Sequence, residues 1–296
     1  MMKKTIFRGI ATALITPTDE NGVNYDQLGR LIDWQIAEGV DALVVCGTTG
    51  EASTLTDEEH RRVISYSVER SAGRVPVIAG TGSNETDYAL ALTKSACESG
   101  ADAVLVVTPY YNKATQKGLI RMYNTIADAS EKPVILYNVP SRTGVNIEPA
   151  TYEALAEHEN IVAIKEANGN LSKIVETMAR VRGKLDLYSG NDDQIVPIMA
   201  MGGIGCISVL SNVIPAQTRE ICTRFFNGDI AGSAELQCKY YKLIEALFCE
   251  VNPIPVKAAM SALGFCENYF RLPLTPMEEV NYARLLDAMR ELGLTP

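Results

Sequence analysis

A single lysine closes an apolar, β-branched segment of this 296-residue chain. Lys165 follows the run IVAI at residues 161–164 and precedes Glu166. A lysine in such a place loses part of its hydration, and this favours the neutral, nucleophilic amine. A nucleophilic amine can form a Schiff base with a carbonyl compound. The alternative is that the ammonium group reaches solvent at the strand end and has only a structural role.

Polar and small residues end five other apolar segments of the chain. These endings are GTTGE at 47–51, TPYYN at 108–112, YNVPSRTG at 137–144, SGND at 189–192 and IS at 207–208. Each has an ordinary explanation, because the glycines suit tight turns, the tyrosines suit a core or an interface, and Arg142 suits a solvated loop. Their joint occurrence favours chemistry, since an amine, hydroxyls, phenols and a guanidinium together suit an imine-forming aldolase or lyase.

Several of these groups have a direct use beside a Lys165 imine. Thr48 and Thr49, flanked by glycines, can form a backbone pocket for a carboxylate. A phenol such as Tyr137 can relay protons while a keto acid is attacked and its enamine forms. The guanidinium of Arg142 can hold a carboxylate through two parallel hydrogen bonds. This chemistry needs no metal ion.

The elements that carry these residues alternate between β-branched apolar segments and helix-like segments. Eight strands are predicted, at residues 9–17, 41–51, 75–82, 102–111, 133–140, 161–167, 185–191 and 203–210. Between them, apolar residues recur at spacings of three and four, as in 25–36 and 171–178. This alternation over about 225 residues predicts an α/β fold, a (β/α)8 TIM barrel. A doubly wound open sheet is the alternative, but the first strand lacks a glycine fingerprint for phosphate.

The active site of such a barrel lies where the strands end and their following loops begin. The polar endings named above are therefore predicted to share one rim. The strand pattern stops after residue 226, and three helices are predicted at 230–248, 254–263 and 276–292. We accordingly divide the chain into a catalytic barrel at 1–226 and a C-terminal three-helix region at 227–296 that packs on it.

Composition argues against several classes of protein. A formal net charge of -9 disfavours general binding to nucleic acids or anionic membranes. The apolar runs are too short for a transmembrane helix, and no signal-peptide core follows the first residues. Seven cysteines without paired spacing predict reduced thiols and a cytoplasmic protein. The two histidines stand apart, so no metal site is indicated. The sequence also contains no glycine motif of the kind that binds nucleotides.

Taken together, these motifs resemble those of the dihydrodipicolinate synthase family, within the N-acetylneuraminate lyase superfamily of class I aldolases. The resemblance covers essentially the whole chain and rests on the sequences at 47–51, 108–112, 137–144 and 164–166. It implies a condensation of pyruvate with L-aspartate 4-semialdehyde in lysine and diaminopimelate biosynthesis. It implies no separate cofactor, because pyruvate itself forms the covalent imine.

The resemblance also assigns roles in the chemistry. It implies that Lys165 is the Schiff-base residue and that Tyr137, Thr49 and Tyr111 form a proton relay. Tyr111 is expected to reach across a subunit interface into the neighbouring site, which requires at least a dimer. A homotetramer built as a dimer of tight dimers is expected.

Substrate contacts follow from the same resemblance. Thr48 and Thr49 would hold the pyruvate carboxylate, while Gly190 and Ile207 would contribute backbone groups near the imine. Arg142 matches the free carboxylate of aspartate semialdehyde, whereas sugar-acid lyases of the superfamily generally lack this arginine. Its presence favours the synthase over a lyase acting on N-acetylneuraminate or a 2-keto-3-deoxy sugar acid.

An effector site is implied as well. Many relatives are inhibited by lysine at a cleft between subunits, and the corresponding residues here are Ala52, Ser53, His60, Asn84, Tyr88 and Tyr110. Tyr88 stands where lysine-sensitive relatives typically carry a glutamate, and Asp57 replaces a frequent histidine. Without that glutamate the lysine ammonium group loses a partner, so weak or absent inhibition is predicted.

Two other hypotheses remain open at this point. A catalytically silent binding protein could share the fold, although it would have no use for Lys165, Tyr137, Thr49 and Tyr111 together. A pyridoxal phosphate enzyme would also use a lysine imine, but the chain offers no obvious loop for the cofactor phosphate.

Overall fold

The computed structural model describes residues 3–294 and contains a closed barrel. Within that range, eight parallel strands each pair with the next along the chain, and the eighth pairs with the first. The strands are β1 Gly9–Ala13, β2 Ala42–Val45, β3 Val77–Gly80, β4 Ala103–Val107, β5 Val134–Asn138, β6 Ile161–Glu166, β7 Asp186–Ser189 and β8 Gly205–Ser208. The predicted (β/α)8 barrel is confirmed.

The predicted strand boundaries were too long at their C-terminal ends. The second strand was predicted to reach residue 51, but it ends at Val45. Cys46 and Glu51 have φ angles of 52° and 56°, and Tyr111 has a φ of 74°. These left-handed conformations cannot continue a strand, so the chain turns there into the loops of the rim.

Helices occupy the segments between the strands and form the outer layer. They are α1 Tyr25–Ala37, α2 Asp57–Ser71, α3 Thr86–Glu98, α4 Gln116–Ala129, α5 Pro140–Thr143, α6 Pro149–Leu155, α7 Leu171–Val181, α8 Ile195–Ala200 and α9 Pro215–Phe226. Local sequence explains where several begin. Thr56 and Glu59 form a capping box at α2, and the Glu85 side chain accepts hydrogen bonds from the first amides of α3. A two-stranded hairpin, Thr18–Asp19 with Gly22–Val23, precedes α1.

Two apolar clusters follow from the alternation of side chains along the strands. One lies between the strands and the helices and includes Ile10, Leu43 and Leu136. The other fills the interior of the barrel with Ala11, Ala13, Val44, Ile78, Leu105, Ile135, Tyr137, Ala163, Tyr188 and Ile207. Phe7 stacks on Tyr188 with a 4.2 Å centroid separation at the end opposite the rim. The barrel interior is therefore a packed core rather than a pore.

Within residues 3–294, three helices follow the barrel, as predicted. They are α10 Ile230–Leu247, α11 Ile254–Ala262 and α12 Glu279–Glu291. The side chain of Lys257 on α11 forms an ion pair with Glu51 of the loop after β2. The division of the chain at residue 226 stays a prediction. Among residues 3–294, no helix has both the length and the apolar character needed to cross a membrane.

Candidate active site

Lys165 and Tyr137 lie side by side at the mouth of the barrel. They occupy the ends of neighbouring strands, β6 and β5, and are partners in the parallel register. Both side chains point inward because they continue the alternation of Ala163 and Ile135. Lys165 Nζ lies 4.1 Å from the centroid of the Tyr137 ring, and the two residues are only 6% and 7% exposed. An amine enclosed in this way, next to a phenol, suits imine chemistry.

Thr48 and Thr49 lie in a tight turn after β2. This turn does not exclude the carboxylate pocket that the sequence also suggests. The amides of Gly50 and Glu51 donate to the carbonyls of Gly47 and Thr48 at 3.1 Å. A Cβ on Gly50 would lie 3.2 Å from two backbone atoms, which explains the glycine. Thr49 is buried, whereas Thr48 is half-buried and lines a cavity.

This cavity has a volume of about 440 Å³ and joins two of the predicted sites. Thr48, Tyr137 and Arg142 line one part of it. The predicted effector residues that also line it are Ala52, Ser53, His60, Tyr88 and Tyr110. Asn84 is not among the lining residues, and its carbonyl accepts a hydrogen bond from Asn112 Nδ2 at 2.8 Å. A molecule in the effector region would therefore lie close to Thr48, Tyr137 and Arg142.

Gly190 directly follows β7 and Ile207 lies on β8, the two strands that come after the strand of Lys165 in the barrel. The Gly190 amide donates to the Glu166 carbonyl at 2.8 Å, just past the end of β7. A Cβ on Gly190 would lie 2.8 Å from Ala167 Cβ, so the close approach of the two loops requires glycine here. The Ile207 side chain is fully buried in the barrel interior. Ile207 therefore offers no exposed side chain to a ligand.

Tyr111, a predicted relay residue, lies on the surface of its own chain, whereas Thr49, which does not line the cavity either, is buried. Tyr111 is 89% exposed and does not line the cavity, whereas the neighbouring Tyr110 does. Its φ of 74° is unfavourable for a residue with a side chain. The Tyr111 side chain is thus open to solvent in its own chain.

A buried polar cluster lies on the outer side of the same two strands. Glu166 accepts hydrogen bonds from Asn138 Nδ2 at 2.9 Å, from the Tyr152 hydroxyl at 2.8 Å and from the Asn168 amide at 2.9 Å. Burial raises the pKa of Glu166 to about 7, although these hydrogen bonds oppose the shift. Among residues 3–294, no group of three His, Cys, Asp or Glu side chains is placed to hold a metal ion.

The effector part of the cavity contains neutral rather than anionic groups. The His60 ring nitrogen Nε2 lies 2.8 Å from the Gly80 carbonyl oxygen, and burial lowers the pKa of His60. Burial, followed by the neighbouring Asp57 carboxylate, raises the pKa of Tyr88. Asp57 itself is paired with Arg61 at 2.8 Å, and this hydrogen bond lowers its pKa.

Sequence reasoning missed two residues of the C-terminal region that contact the site. Asn252 Nδ2 donates to Thr49 Oγ1 at 3.1 Å, and the Asn252 carbonyl accepts from Arg142 Nη2 at 3.0 Å. Lys257 is fully buried beside Glu51. Lys257 interrupts the apolar run IPV–AAM, so the reasoning applied to Lys165 would also have selected it.

Known proteins resemble this chain over nearly its whole length. The model of the dihydrodipicolinate synthetase family matches residues 6–292. The 4-hydroxy-tetrahydrodipicolinate synthase of Acetivibrio thermocellus is 54% identical over 293 residues, which is 99% of this chain and 100% of that protein. The crystal structure of dihydrodipicolinate synthase from Aquifex aeolicus superimposes with a TM-score of 0.96 at 46% identity, covering 98% of this chain and 99% of that one.

A second solved structure adds a ligand. The chloride-inhibited dihydrodipicolinate synthase of Acinetobacter baumannii, crystallised in complex with pyruvate, has a TM-score of 0.95 and 44% identity. The match covers 98% of this chain and 100% of that one. Both the sequence matches and the structural matches thus extend over nearly the full length of the chain. The chain belongs to the dihydrodipicolinate synthetase family.

Proposed function

We propose that this chain condenses pyruvate with L-aspartate 4-semialdehyde, the reaction of 4-hydroxy-tetrahydrodipicolinate synthases. The observation that carries the proposal is the enclosed Lys165 amine, 4.1 Å from the Tyr137 ring centroid, beside a cavity lined by Thr48 and Arg142. The name shared by the close relatives and the pyruvate complex of the Acinetobacter baumannii protein support the same reaction.

The first half of the reaction uses Lys165. Its neutral amine attacks the keto carbon of pyruvate, and loss of water gives an imine. Loss of a proton from the pyruvate methyl group then gives an enamine, whose terminal carbon is the nucleophile. Thr48 and Thr49 hold the pyruvate carboxylate, and backbone groups of Gly190 and Ile207 border the imine. No separate cofactor takes part in this scheme.

The second half forms the carbon–carbon bond. The enamine carbon attacks the aldehyde carbon of aspartate semialdehyde, and the aldehyde oxygen takes up a proton to become a hydroxyl. The amino group of the adduct then attacks the imine carbon and displaces the Lys165 amine, which closes a ring and releases the product. Tyr137, Thr49 and Tyr111 pass the proton of that hydroxyl and those of the imine steps. Arg142, which lines the same cavity, binds the free carboxylate of the second substrate.

Borohydride reduction in the presence of pyruvate tests the imine. Peptide mass mapping should place the reduced adduct on Lys165 alone, and the adduct should be absent from a Lys165→Met variant. Lys257 serves as an internal control, because it is also a buried lysine but is paired with Glu51. An adduct on any other lysine, or no adduct, would overturn the proposal.

A coupled assay separates the proposed reaction from those of sister enzymes. Purified protein should turn over pyruvate with aspartate semialdehyde and should cleave N-acetylneuraminate or a 2-keto-3-deoxy sugar acid far more slowly. The reverse preference would assign the chain to a sugar-acid lyase. Inactivity on all of these substrates would indicate a catalytically silent barrel.

A shared active site is part of the proposal, with the chain acting as a homotetramer built from tight dimers. The support is that Tyr111 is 89% exposed and lies away from its own cavity. Mixing inactive Tyr111→Phe chains with inactive Lys165→Met chains should restore activity, because a mixed dimer contains one site with both native residues. Activity that stays absent after subunit exchange would contradict a relay across the interface.

A cytoplasmic location is proposed from the seven free cysteines.

Feedback inhibition by lysine is proposed to be weak or absent. The effector region offers the neutral Tyr88, and the nearby Asp57 is already paired with Arg61. Lysine in the low micromolar range should therefore leave the initial rate unchanged, whereas a Tyr88→Glu variant should become more sensitive. Half-inhibition of the native protein by micromolar lysine would contradict the proposal.

A further inference from the structure

The C-terminal helix α11 is anchored to the loop that carries the catalytic threonine. Lys257 Nζ lies 2.7 Å from Glu51 Oε1 and 2.7 Å from Thr18 Oγ1, with the Phe270 ring centroid at 5.2 Å. The Lys257 side chain is 0% exposed and that of Glu51 is 2% exposed. Glu51 lies two residues after Thr49 in the same loop. The start of α11 is therefore held next to that loop.

Stability alone does not explain this buried ion pair. Removing two charges from water is costly, and replacing such a pair by apolar residues is often neutral or stabilising. What the pair does provide is one fixed arrangement of α11 against the loop, because breaking either partner would leave an unpaired buried charge. The residues just before α11 thus have a defined position in the active site.

Asn252, two residues before α11, uses that position to contact two catalytic groups. Its Nδ2 donates to Thr49 Oγ1 at 3.1 Å, and its carbonyl oxygen accepts from Arg142 Nη2 at 3.0 Å. Asn252 is 6% exposed, and among the described residues none forms a hydrogen bond with its buried Oδ1. An unpaired buried acceptor is costly, yet the Asn252 amide keeps the orientation in which Nδ2 donates to Thr49.

This donation limits what the Thr49 hydroxyl can do. A threonine hydroxyl has one proton to donate and two lone pairs that accept. Because Asn252 fills one acceptor position of Oγ1, the Thr49 proton is left for a different acceptor. In the proposed relay that acceptor is the phenol oxygen of Tyr137.

We propose that Asn252 is a positioning residue that sets the direction of the Thr49 hydroxyl and ties Thr49 to Arg142. Lys257 and Glu51 hold Asn252 in place. The inference rests on the proposed function, because the proposed function assigns Thr49 to the proton relay and Arg142 to binding of the second substrate. It makes the C-terminal helical region a part of the catalytic unit.

A double-mutant cycle tests this role. Asn252→Ala removes the donor, and Asn252→Asp keeps the shape but offers only an acceptor, so the Thr49 proton turns toward it. In the full-length protein, kcat should fall about tenfold for the first variant and about a hundredfold for the second. In a Thr49→Val background, both substitutions should change kcat by less than about twofold, because Asn252 acts through a hydroxyl that is no longer there.

A matched control is Asn160→Ala at the opposite end of the barrel. The Asn160 side-chain amide also donates to protein acceptors, the carbonyls of Ala127 and Ser130, at 3.1 and 2.7 Å. This substitution should lower the melting temperature and leave kcat unchanged. It separates loss of stability from loss of positioning. If Asn252→Ala does not fold, the cycle with Asn252→Asp alone decides the question.

Two results would overturn the inference. One is a wild-type kcat in both Asn252 variants, and the other is a loss of kcat that is fully additive with that of Thr49→Val. Either result with a normal borohydride adduct on Lys165 would overturn the positioning role only. Absence of that adduct in the unmodified protein would instead overturn the proposed function.

Discussion

The inner and outer sides of strands β5 and β6 carry similar polar groups but have opposite characters. On the inner side, Lys165 and Tyr137 lie together at the mouth of the barrel. On the outer side, one residue along each strand, Glu166 and Asn138 lie under the helices. The Tyr152 hydroxyl completes the outer cluster at 2.8 Å from Glu166. Each side thus combines one ionisable group with one phenol.

Hydrogen bonding distinguishes the two sides. Both oxygens of the Glu166 carboxylate accept hydrogen bonds, from Asn138, Asn168 and Tyr152. Such a satisfied buried network makes the structure rigid and has no capacity left for a substrate. Lys165 is instead held against an aromatic ring, and its amine remains available to react. Burial of a polar group therefore indicates function only when part of its bonding capacity is unused.

The largest expected effect is on the inner side, at Lys165. Lys165→Met should reduce turnover by at least about 10³-fold, because no other group in the site can form the imine. Circular dichroism should show an unchanged fold, since methionine suits the buried position. Glu166→Gln on the outer side is the control and should retain turnover within about threefold of the native value. Comparable losses in the two variants would break the distinction between the two sides.

The two phenols give the next comparison. Tyr137→Phe keeps the ring beside Lys165 but removes the hydroxyl proposed to relay protons, and kcat should fall by about 10²- to 10⁴-fold. Tyr152→Phe removes a donor to Glu166 and should lower the free energy of unfolding by about 1–3 kcal/mol, with kcat nearly unchanged. Steady-state kinetics and urea unfolding of both variants measure this. A loss of kcat in Tyr152→Phe larger than in Tyr137→Phe would reverse the assignment.

The smallest effect is the pH dependence of stability that arises from Glu166. Its pKa is raised from an ordinary 4.5 to about 7 in the folded protein, so the folded state binds the proton more tightly than the unfolded state. The stabilisation is complete below pH 4.5 and is lost as the pH rises through about 7.

Relative to Glu166→Gln, the native protein should lose on the order of 2–3 kcal/mol between pH 5 and pH 8. Urea unfolding at several pH values measures the difference. The inner-side variant Lys165→Met provides the comparison and should keep the pH dependence of the native protein. Parallel curves for the native protein and Glu166→Gln would show that the carboxyl is ionised throughout.

Local sequence was sufficient for much of the fold. The eight β-branched runs became the eight strands, and the signal at Thr56 became a capping box, because both patterns act within a few residues. The strand ends were less well predicted. The second strand ends at Val45, directly before the left-handed residue Cys46, and a cysteine side chain does not predict that conformation.

Local sequence also supplied the chemical types of the candidate site. An amine after an apolar run, hydroxyls between glycines and a guanidinium in a loop are visible without any structure. Their roles stay predictions, but Lys165 and Tyr137 do lie together, and Thr48, Tyr137 and Arg142 line one cavity. The period of two along a strand already separated Lys165 from Glu166.

The partners of those groups depended on closure of the barrel and on the docking of the final helices. Asn252 is 203 residues from Thr49 in the chain, and Lys257 is 206 residues from Glu51. No local pattern can pair residues so far apart, because their contact depends on the path of every intervening element. Which polar groups are satisfied and which remain free to react therefore follows from the assembled packing, whereas the identity of the reactive groups follows from the order of the residues.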